Sequence, residues 1–164
     1  MIVYVVRHAI AHDADPVRWP DDRGRPLTPE GEERFRRAAR GLRGLVPAID
    51  QVFSSELARA WRTAEVLHEE AAWPSPAPWR ELEPDRPTDE ATAALARQAA
   101  EVVAVVGHDP HLSNLVAYFT AGRDDAFDVE LKKGGAACVE FHGAPSAGSG
   151  VLRWLVTPKI LRSL

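Results

Sequence analysis

Residues 2–8, IVYVVRH, place two polar side chains directly after an unbroken apolar run. Residues 2–6 are apolar and mostly β-branched, a pattern typical of a strand that is buried on both faces of a parallel sheet. The run ends abruptly at Arg7 and His8. In open α/β sheets, ligands bind outside the carboxyl ends of the strands. The same short stretch therefore predicts a central strand and the start of a candidate site.

Strand-like and helix-like segments alternate through the rest of the chain. Strands separated by helices require right-handed crossovers, which place helices on both faces of a mostly parallel sheet. The Gly, Ser and Pro residues of 143–150 indicate a hairpin between the last two strands. We therefore predict an α/β three-layer sandwich, with a mostly parallel central sheet flanked by helices and an antiparallel C-terminal hairpin. The predicted strands are residues 2–6, 49–54, 102–106, 136–141 and 151–156, and the predicted helices run from Thr28 to about 45, Ser55 to about 72, Thr88 to about 100 and Asp109 to 119.

Two longer segments are predicted to be irregular. Residues 13–27 combine prolines and a glycine with several charged residues, which indicates a loop. Residues 73–87 hold five of the thirteen prolines of the chain, which predicts a connection with little regular structure.

Length and composition restrict the class of protein. A chain of 164 residues is the size of one domain, so we expect residues 1–164 to form a single domain. The 20 Lys and Arg against 24 Asp and Glu give a net charge of −4, which argues against nucleic acid or an anionic membrane as partner. The apolar runs are too short to span a membrane, and the lone Cys138 excludes an internal disulfide. We expect a cytoplasmic protein.

Basic side chains follow several of the predicted strands. Arg7 and His8 end the first strand, Arg59 lies just beyond the second, and His108 ends a later one. If these strands are neighbours, two arginines and two histidines converge on one edge of the sheet. Helix N-termini at that edge would add partial positive charge. Phosphate is the anion that such a site predicts, because the planar fork of arginine matches its oxygens.

Two other classes of function compete with this interpretation. A metal-dependent hydrolase would use nitrogen and oxygen ligands, but arginines in the same pocket repel a divalent cation and no His-Glu-x-x-His spacing occurs. A non-catalytic phosphate-binding or phosphoprotein-binding module would be expected to lack the histidine that attacks the phosphate or one of the arginines that hold it. The potential metal ligands are His8, His12, Asp13, His108, Asp109 and His111.

Five motifs together resemble one known family. Arg-His-Ala at residues 7–9 is similar to the Arg-His-Gly signature of the histidine phosphatase superfamily, which has the phosphoglycerate-mutase-like fold, with Ala9 in place of the glycine. The short chain resembles the small phosphohistidine phosphatases of the SixA type over nearly its whole length. The other motifs are RPLT at 25–28, SSELARA at 54–60, GHDP at 107–110 and PK at 158–159.

The resemblance implies a role for each basic residue. His8 would be the nucleophile that accepts the phosphoryl group, and Arg7 and Arg59 would hold the phosphate oxygens. His108 would donate to those oxygens as charge builds, and Arg25 would complete the basic pocket. No metal or other cofactor is implied. The partner would be a protein that carries phosphohistidine, with a small phosphoryl substrate as the alternative.

The general acid is the open position in this assignment. Larger relatives carry a carboxylic acid that protonates an alkoxide leaving group. Glu81, Glu83 and Asp85 are all within plausible reach in the proline-rich connection. Glu81 is the best candidate because its local sequence is most similar to the family pattern.

Overall fold

A six-stranded sheet forms the centre of the molecule in a computed structural model that describes residues 1–164. Its strands are β1 Ile2–Arg7, β2 Gln51–Ser54, β3 Pro76–Pro78, β4 Val102–Gly107, β5 Ala136–Phe141 and β6 Gly150–Val156. Their order in the sheet is β3-β2-β4-β1-β5-β6. The first four of these are parallel to one another, whereas β5 runs antiparallel to β1, and β6 to β5. The predicted parallel sheet with a C-terminal hairpin is confirmed.

Helices cover both faces of the sheet, which confirms the three layers. They are α1 Pro29–Leu45, α2 Ala58–Ala71, α3 Thr88–Ala96, α4 His111–Ala121 and α5 Pro158–Leu161. Because side chains alternate along a strand, Val3 and Val5 enter one apolar cluster, and Tyr4 and Val6 enter the other. The cluster around Tyr4 includes side chains of α1, α2 and α5, and the cluster around Val3 includes side chains of α3 and α4. No helix is both long and apolar enough to cross a membrane.

The start of α1 follows from local sequence. The Thr28 hydroxyl accepts a hydrogen bond from the Gly31 amide at 2.9 Å, which satisfies one of the free N–H groups of the first turn. Pro29 occupies the first helical position, where its missing N–H costs nothing. The predicted beginning of this helix is therefore confirmed.

The proline-rich connection is more ordered than the sequence predicts. Residues 76–78 form β3, which pairs with β2, and Arg80–Leu82 form a 3₁₀ turn. The prediction of little regular structure for 73–87 is wrong over these residues. Strand β3 lies at the edge of the sheet, so it has no second neighbouring strand to which Pro76 and Pro78 would have to donate an N–H.

Several helix boundaries differ from the predicted ones. Helix α2 begins after Leu57 and not at Ser55, and α4 begins after Pro110 and not at Asp109. Helix α4 ends at Ala121, two residues past the predicted end, and α3 ends at Ala96, short of residue 100. Beyond α3, the Asp50 carboxylate accepts the amides of residues 101 and 102, at the start of β4.

Candidate active site

Neighbouring strands bring the predicted histidines together at one edge of the sheet. Strand β4 lies between β2 and β1, so the carboxyl ends of all three meet there. The His8 amide donates to the carbonyl oxygen of Gly107 at 3.0 Å, directly beside His108. The imidazole rings of His8 and His108 have centroids 5.2 Å apart.

The His8 ring is held in one orientation and one tautomer. Its Nδ1 lies 2.6 Å from the carbonyl oxygen of Ala9, and because a carbonyl only accepts, Nδ1 carries the proton. The second ring nitrogen, Nε2, then keeps its lone pair. Burial, together with the positive charges of Arg59, Arg7 and Lys133, lowers the pKa of His8 to about 3, against the opposing effect of the Ala9 hydrogen bond. His8 is therefore neutral at pH 7, as a nucleophilic imidazole must be.

Thr63 fixes the carbonyl that orients His8. The Ala9 amide donates to Thr63 Oγ1 at 3.0 Å, and this hydroxyl donates to the Arg59 carbonyl oxygen at 2.7 Å. The first bond joins the segment after β1 to helix α2, and the second holds the Thr63 hydroxyl within that helix. Sequence reasoning missed Thr63, and the available signal was a polar residue in the buried stripe of α2.

The two arginines that are predicted to hold the phosphate lie at the same edge of the sheet. Arg7 Nη1 donates to the Leu131 carbonyl oxygen at 2.8 Å and pairs with Asp109 at 3.0 Å. Arg59 is buried, and its Nη1 donates to the Asp22 carbonyl oxygen at 3.0 Å. The Nε atoms of both arginines are buried and have no hydrogen-bond partner in the protein. Each guanidinium thus presents a donor that an anion could use.

The pKa of Asp109 is raised and that of Arg59 is lowered, and burial is the main cause of both shifts. Burial raises the pKa of Asp109, although Arg7 opposes the shift. Burial and the nearby charge of Arg25 lower the pKa of Arg59, and Asp22 acts against them. Three arginines share two carboxylates at this edge, because Arg7 pairs with Asp109 and both Arg25 and Arg59 pair with Asp22, so one positive charge is not balanced by these ion pairs.

Asp22 joins Arg25 to Arg59. Its carboxylate lies 2.6 Å from Arg25 Nε and 3.1 Å from Arg59 Nη2. Arg25 also donates to the His12 carbonyl oxygen at 2.6 Å. Hydrogen bonding by Arg25 is the main cause that lowers the pKa of Asp22. Sequence reasoning placed Arg25 at the site but missed Asp22, which lies in a predicted loop three residues before it.

His108 is buried and neutral. Burial, followed by the neighbouring His8 and Arg59, lowers the pKa of His108 to about 2. Its Nε2 lies 2.9 Å from Ser55 Oγ, and its Nδ1 has no partner in the protein. Ser55 Oγ also accepts weakly from the Leu57 amide at 3.3 Å, so the Ser55 hydroxyl proton is free to be donated to His108 Nε2. In that arrangement Nδ1 carries a proton that it can donate to an anion.

The three candidate acids occupy different surroundings. Glu81 lies in the 3₁₀ turn beside the end of β4, where the neighbouring Leu82 carbonyl approaches Gly107, and it forms no ion pair. Glu83 pairs with Arg23 at 2.9 Å, a hydrogen bond that lowers the pKa of Glu83. Asp85 is exposed and has a left-handed backbone at φ 66°. Neither Glu81 nor Asp85 forms an ion pair, so Glu83 is the one candidate whose carboxylate is engaged elsewhere.

The residues considered as metal ligands are dispersed or paired. The structure contains no group of three or more His, Cys, Asp or Glu side chains placed to hold a metal ion. Asp109 pairs with Arg7 and also accepts from the hydroxyl of Ser113 at 3.0 Å.

Comparison with known proteins identifies the family. The sequence pattern of the histidine phosphatase superfamily (branch 1) matches residues 3–84, half of the chain. An uncharacterised protein of Picosynechococcus is 33% identical over 138 residues, which are 82% of each chain. The chain belongs to the histidine phosphatase superfamily.

Solved structures place the protein in the SixA group of this superfamily. The protein histidine phosphatase SixA, complexed with tungstate, has a TM-score of 0.83 and 28% identity, over 98% of this chain and 99% of that one. A SixA structure from Nakamurella multipartitia has a TM-score of 0.74 and 26% identity, over 96% and 97% of the two chains. The superfamily and these relatives support a phosphatase activity, and the protein is a hydrolase of SixA type.

Proposed function

We propose that this phosphatase transfers the phosphoryl group of its substrate to His8 Nε2, and that the substrate is phosphohistidine on a protein. One observation carries the proposal. The His8 ring is neutral, its Nδ1–H is bonded to the Ala9 carbonyl, and its free nitrogen lies among basic groups. Phosphoryl transfer mainly requires positioning and electrostatic stabilisation, which such a ring and its neighbours supply without further chemistry.

In the first step, the Nε2 lone pair of His8 forms a bond to phosphorus while the P–N bond of the substrate breaks. The electron pair of the broken bond stays on the substrate nitrogen, and a ring protonated on its other nitrogen leaves as neutral imidazole. In the second step, water attacks the phosphorus, the bond to His8 breaks and its electron pair returns to Nε2. The water proton leaves to solvent or phosphate.

The basic residues would stabilise charge in both steps. Arg7 and Arg59 would donate to the phosphoryl oxygens through nitrogens that have no partner in the protein, and Arg25 would support Arg59 through Asp22. His108 Nδ1 would add a neutral donor. Arginine suits this role because its planar fork binds two oxygens at once.

The preference for a P–N bond follows from the leaving group. The conjugate acid of imidazole has a pKa of roughly 6.5, so it departs readily, whereas an alkoxide needs a proton delivered. Glu83 is engaged by Arg23, and Glu81 forms no contact that fixes its carboxylate. A site without a fixed acid favours phosphohistidine over alkyl phosphates. The SixA relative is a protein histidine phosphatase, which supports the same substrate class.

The first experiment traps the covalent intermediate. Brief incubation with a labelled substrate, followed by acid or alkali quench, should leave alkali-stable, acid-labile label on the peptide that contains His8. The His8→Ala variant should carry no label, and His12→Ala should label normally. Label that persists in His8→Ala would contradict the assignment.

The second experiment compares substrates. Phosphohistidine proteins should be hydrolysed faster than sugar phosphates, and Glu81→Gln should leave that activity nearly unchanged. Faster hydrolysis of sugar phosphates, abolished in Glu81→Gln, would instead establish a small-molecule phosphomonoesterase with Glu81 as its acid. Phosphate binding without turnover of any substrate would indicate a binding module.

A further inference from the structure

A strongly basic pocket adjoins His8 on the side of α1 and α5. Its volume is about 610 Å³, and the residues on either side of His8 contribute to its wall. No carboxylate lines it. The cationic side chains come from β1, α1, the loop before β5 and the C-terminal segment. They are Arg7, Arg34, Lys132, Lys133, Lys159 and Arg162, and we refer to this cavity as the basic pocket.

Half of these charges lack a carboxylate partner. Lys133, Lys159 and Arg162 form no ion pair, whereas Arg7 pairs with Asp109, Lys132 with Glu130, and Arg34 approaches Glu30 at 3.9 Å. The arginines on the neighbouring face of α1 and α2 are paired by contrast, for example Arg36 with three glutamates. A protein of net charge −4 thus concentrates uncompensated positive charge beside its site.

The fold gathers these cations by close backbone contacts. A Cβ on Gly41 would lie 1.9 Å from the Leu161 carbonyl oxygen, so the glycine allows α5 to pack directly on α1. Gly134 has φ +77°, a conformation that L side chains rarely adopt. Its amide lies 3.1 Å and 3.0 Å from the carbonyl oxygens of Arg7 and His8. The loop that carries Lys132 and Lys133 is therefore hydrogen-bonded to the segment that carries His8.

We infer that the basic pocket binds an acidic segment of the protein substrate next to its phosphohistidine. This inference rests on the proposed function. The cations stand on four separate parts of the chain, and the lining also includes the apolar Ile10 and Phe35. One compact phosphate would engage only a few of the cations, whereas an extended segment with several carboxylates and an apolar side chain would engage both the charged and the apolar residues of the lining. Complementary charge also speeds encounter with an acidic partner.

The test uses two phosphohistidine peptides that differ only in their flanks, one acidic and one neutral. The wild-type protein at low salt should show a kcat/KM about tenfold higher for the acidic peptide, mostly through KM, because several exposed charge pairs each contribute a little. The difference should shrink at high salt. The variant Lys159→Glu with Arg162→Glu should lose it and still hydrolyse the neutral peptide at the wild-type rate.

A matched control changes the charge equally elsewhere. Arg43 and Arg97 are exposed, form no ion pair and lie outside the basic pocket. The variant Arg43→Glu with Arg97→Glu should keep the preference for the acidic peptide. If both double variants lose it equally, the effect is one of net charge and the inference is wrong.

The remaining outcomes separate this inference from the proposed function. Equal wild-type turnover of both peptides would overturn the inference and leave the proposed function standing. Hydrolysis of p-nitrophenyl phosphate with no turnover of either peptide would overturn both. Strong inhibition by tripolyphosphate that the Lys159→Glu, Arg162→Glu variant abolishes, with no inhibition by an unphosphorylated acidic peptide, would assign the basic pocket to a second phosphate instead.

Discussion

Acid should destabilise this protein through His8, because the folded protein keeps that imidazole neutral. Its pKa is lowered to about 3, mainly by burial and then by Arg59, Arg7 and Lys133. The unfolded chain titrates near the ordinary value of about 6.5. Between these two values the unfolded state binds more protons than the folded state, so stability falls as the pH drops from about 6.5 towards 3.

The expected magnitude follows from that difference. Each pH unit in this window corresponds to about 1.4 kcal/mol, so lowering the pH from about 7.5 to about 4.5 should cost about 3 kcal/mol from His8 alone. In His8→Asn this contribution disappears. The variant should therefore lose about 3 kcal/mol less than the wild-type protein over the same pH interval, whatever the substitution costs at neutral pH.

Urea denaturation at the two pH values measures the effect directly. Comparing the change within each protein cancels the contributions of the other titrating groups. His142→Asn is the control, because His142 is exposed in the folded protein. If His8→Asn and wild-type lose the same free energy of unfolding between the two pH values, the folded protein does not hold His8 neutral by burial.

Three further predictions concern residues around the site. In Thr63→Val the buried Ala9 amide loses its acceptor, so the free energy of unfolding by urea should fall by about 1–3 kcal/mol and kcat should fall while KM stays; a wild-type kcat would contradict a positioning role for Thr63. In Asp22→Asn one negative charge leaves the surroundings of Arg59, so the inhibition constant of tungstate should decrease about fivefold, whereas an unchanged or higher constant would show that Asp22 mainly orients the arginines. In Gly41→Ala the new methyl group would meet the Leu161 carbonyl, so the free energy of unfolding by urea should fall by about 1–3 kcal/mol. Gly44→Ala, with open space around it, should be neutral or stabilising, and equal stabilities of the two variants would contradict the close packing of α5.

The sheet and its histidines could be predicted because the signals are local. An unbroken β-branched run predicts a buried strand, and the residues that follow it must lie at its carboxyl end. The sequence therefore predicts that Arg7, His8 and His108 lie at one edge of the sheet. The short β3 escaped prediction because Pro76 and Pro78 resemble a loop, and only the position of that strand at the sheet edge makes them acceptable.

The apolar pattern of the sheet, the basic residues at its strand ends and the family motifs can all be read from the sequence. How those residues are held follows only from the folded arrangement. Asp22 meets Arg59 across 37 residues, Thr63 meets Ala9 across 54, and α5 brings Lys159 and Arg162 into a pocket with Arg7. Strand periodicity is set by neighbours along the chain, whereas the pKa of His8 and the charge of the basic pocket depend on distances between groups that only folding brings together.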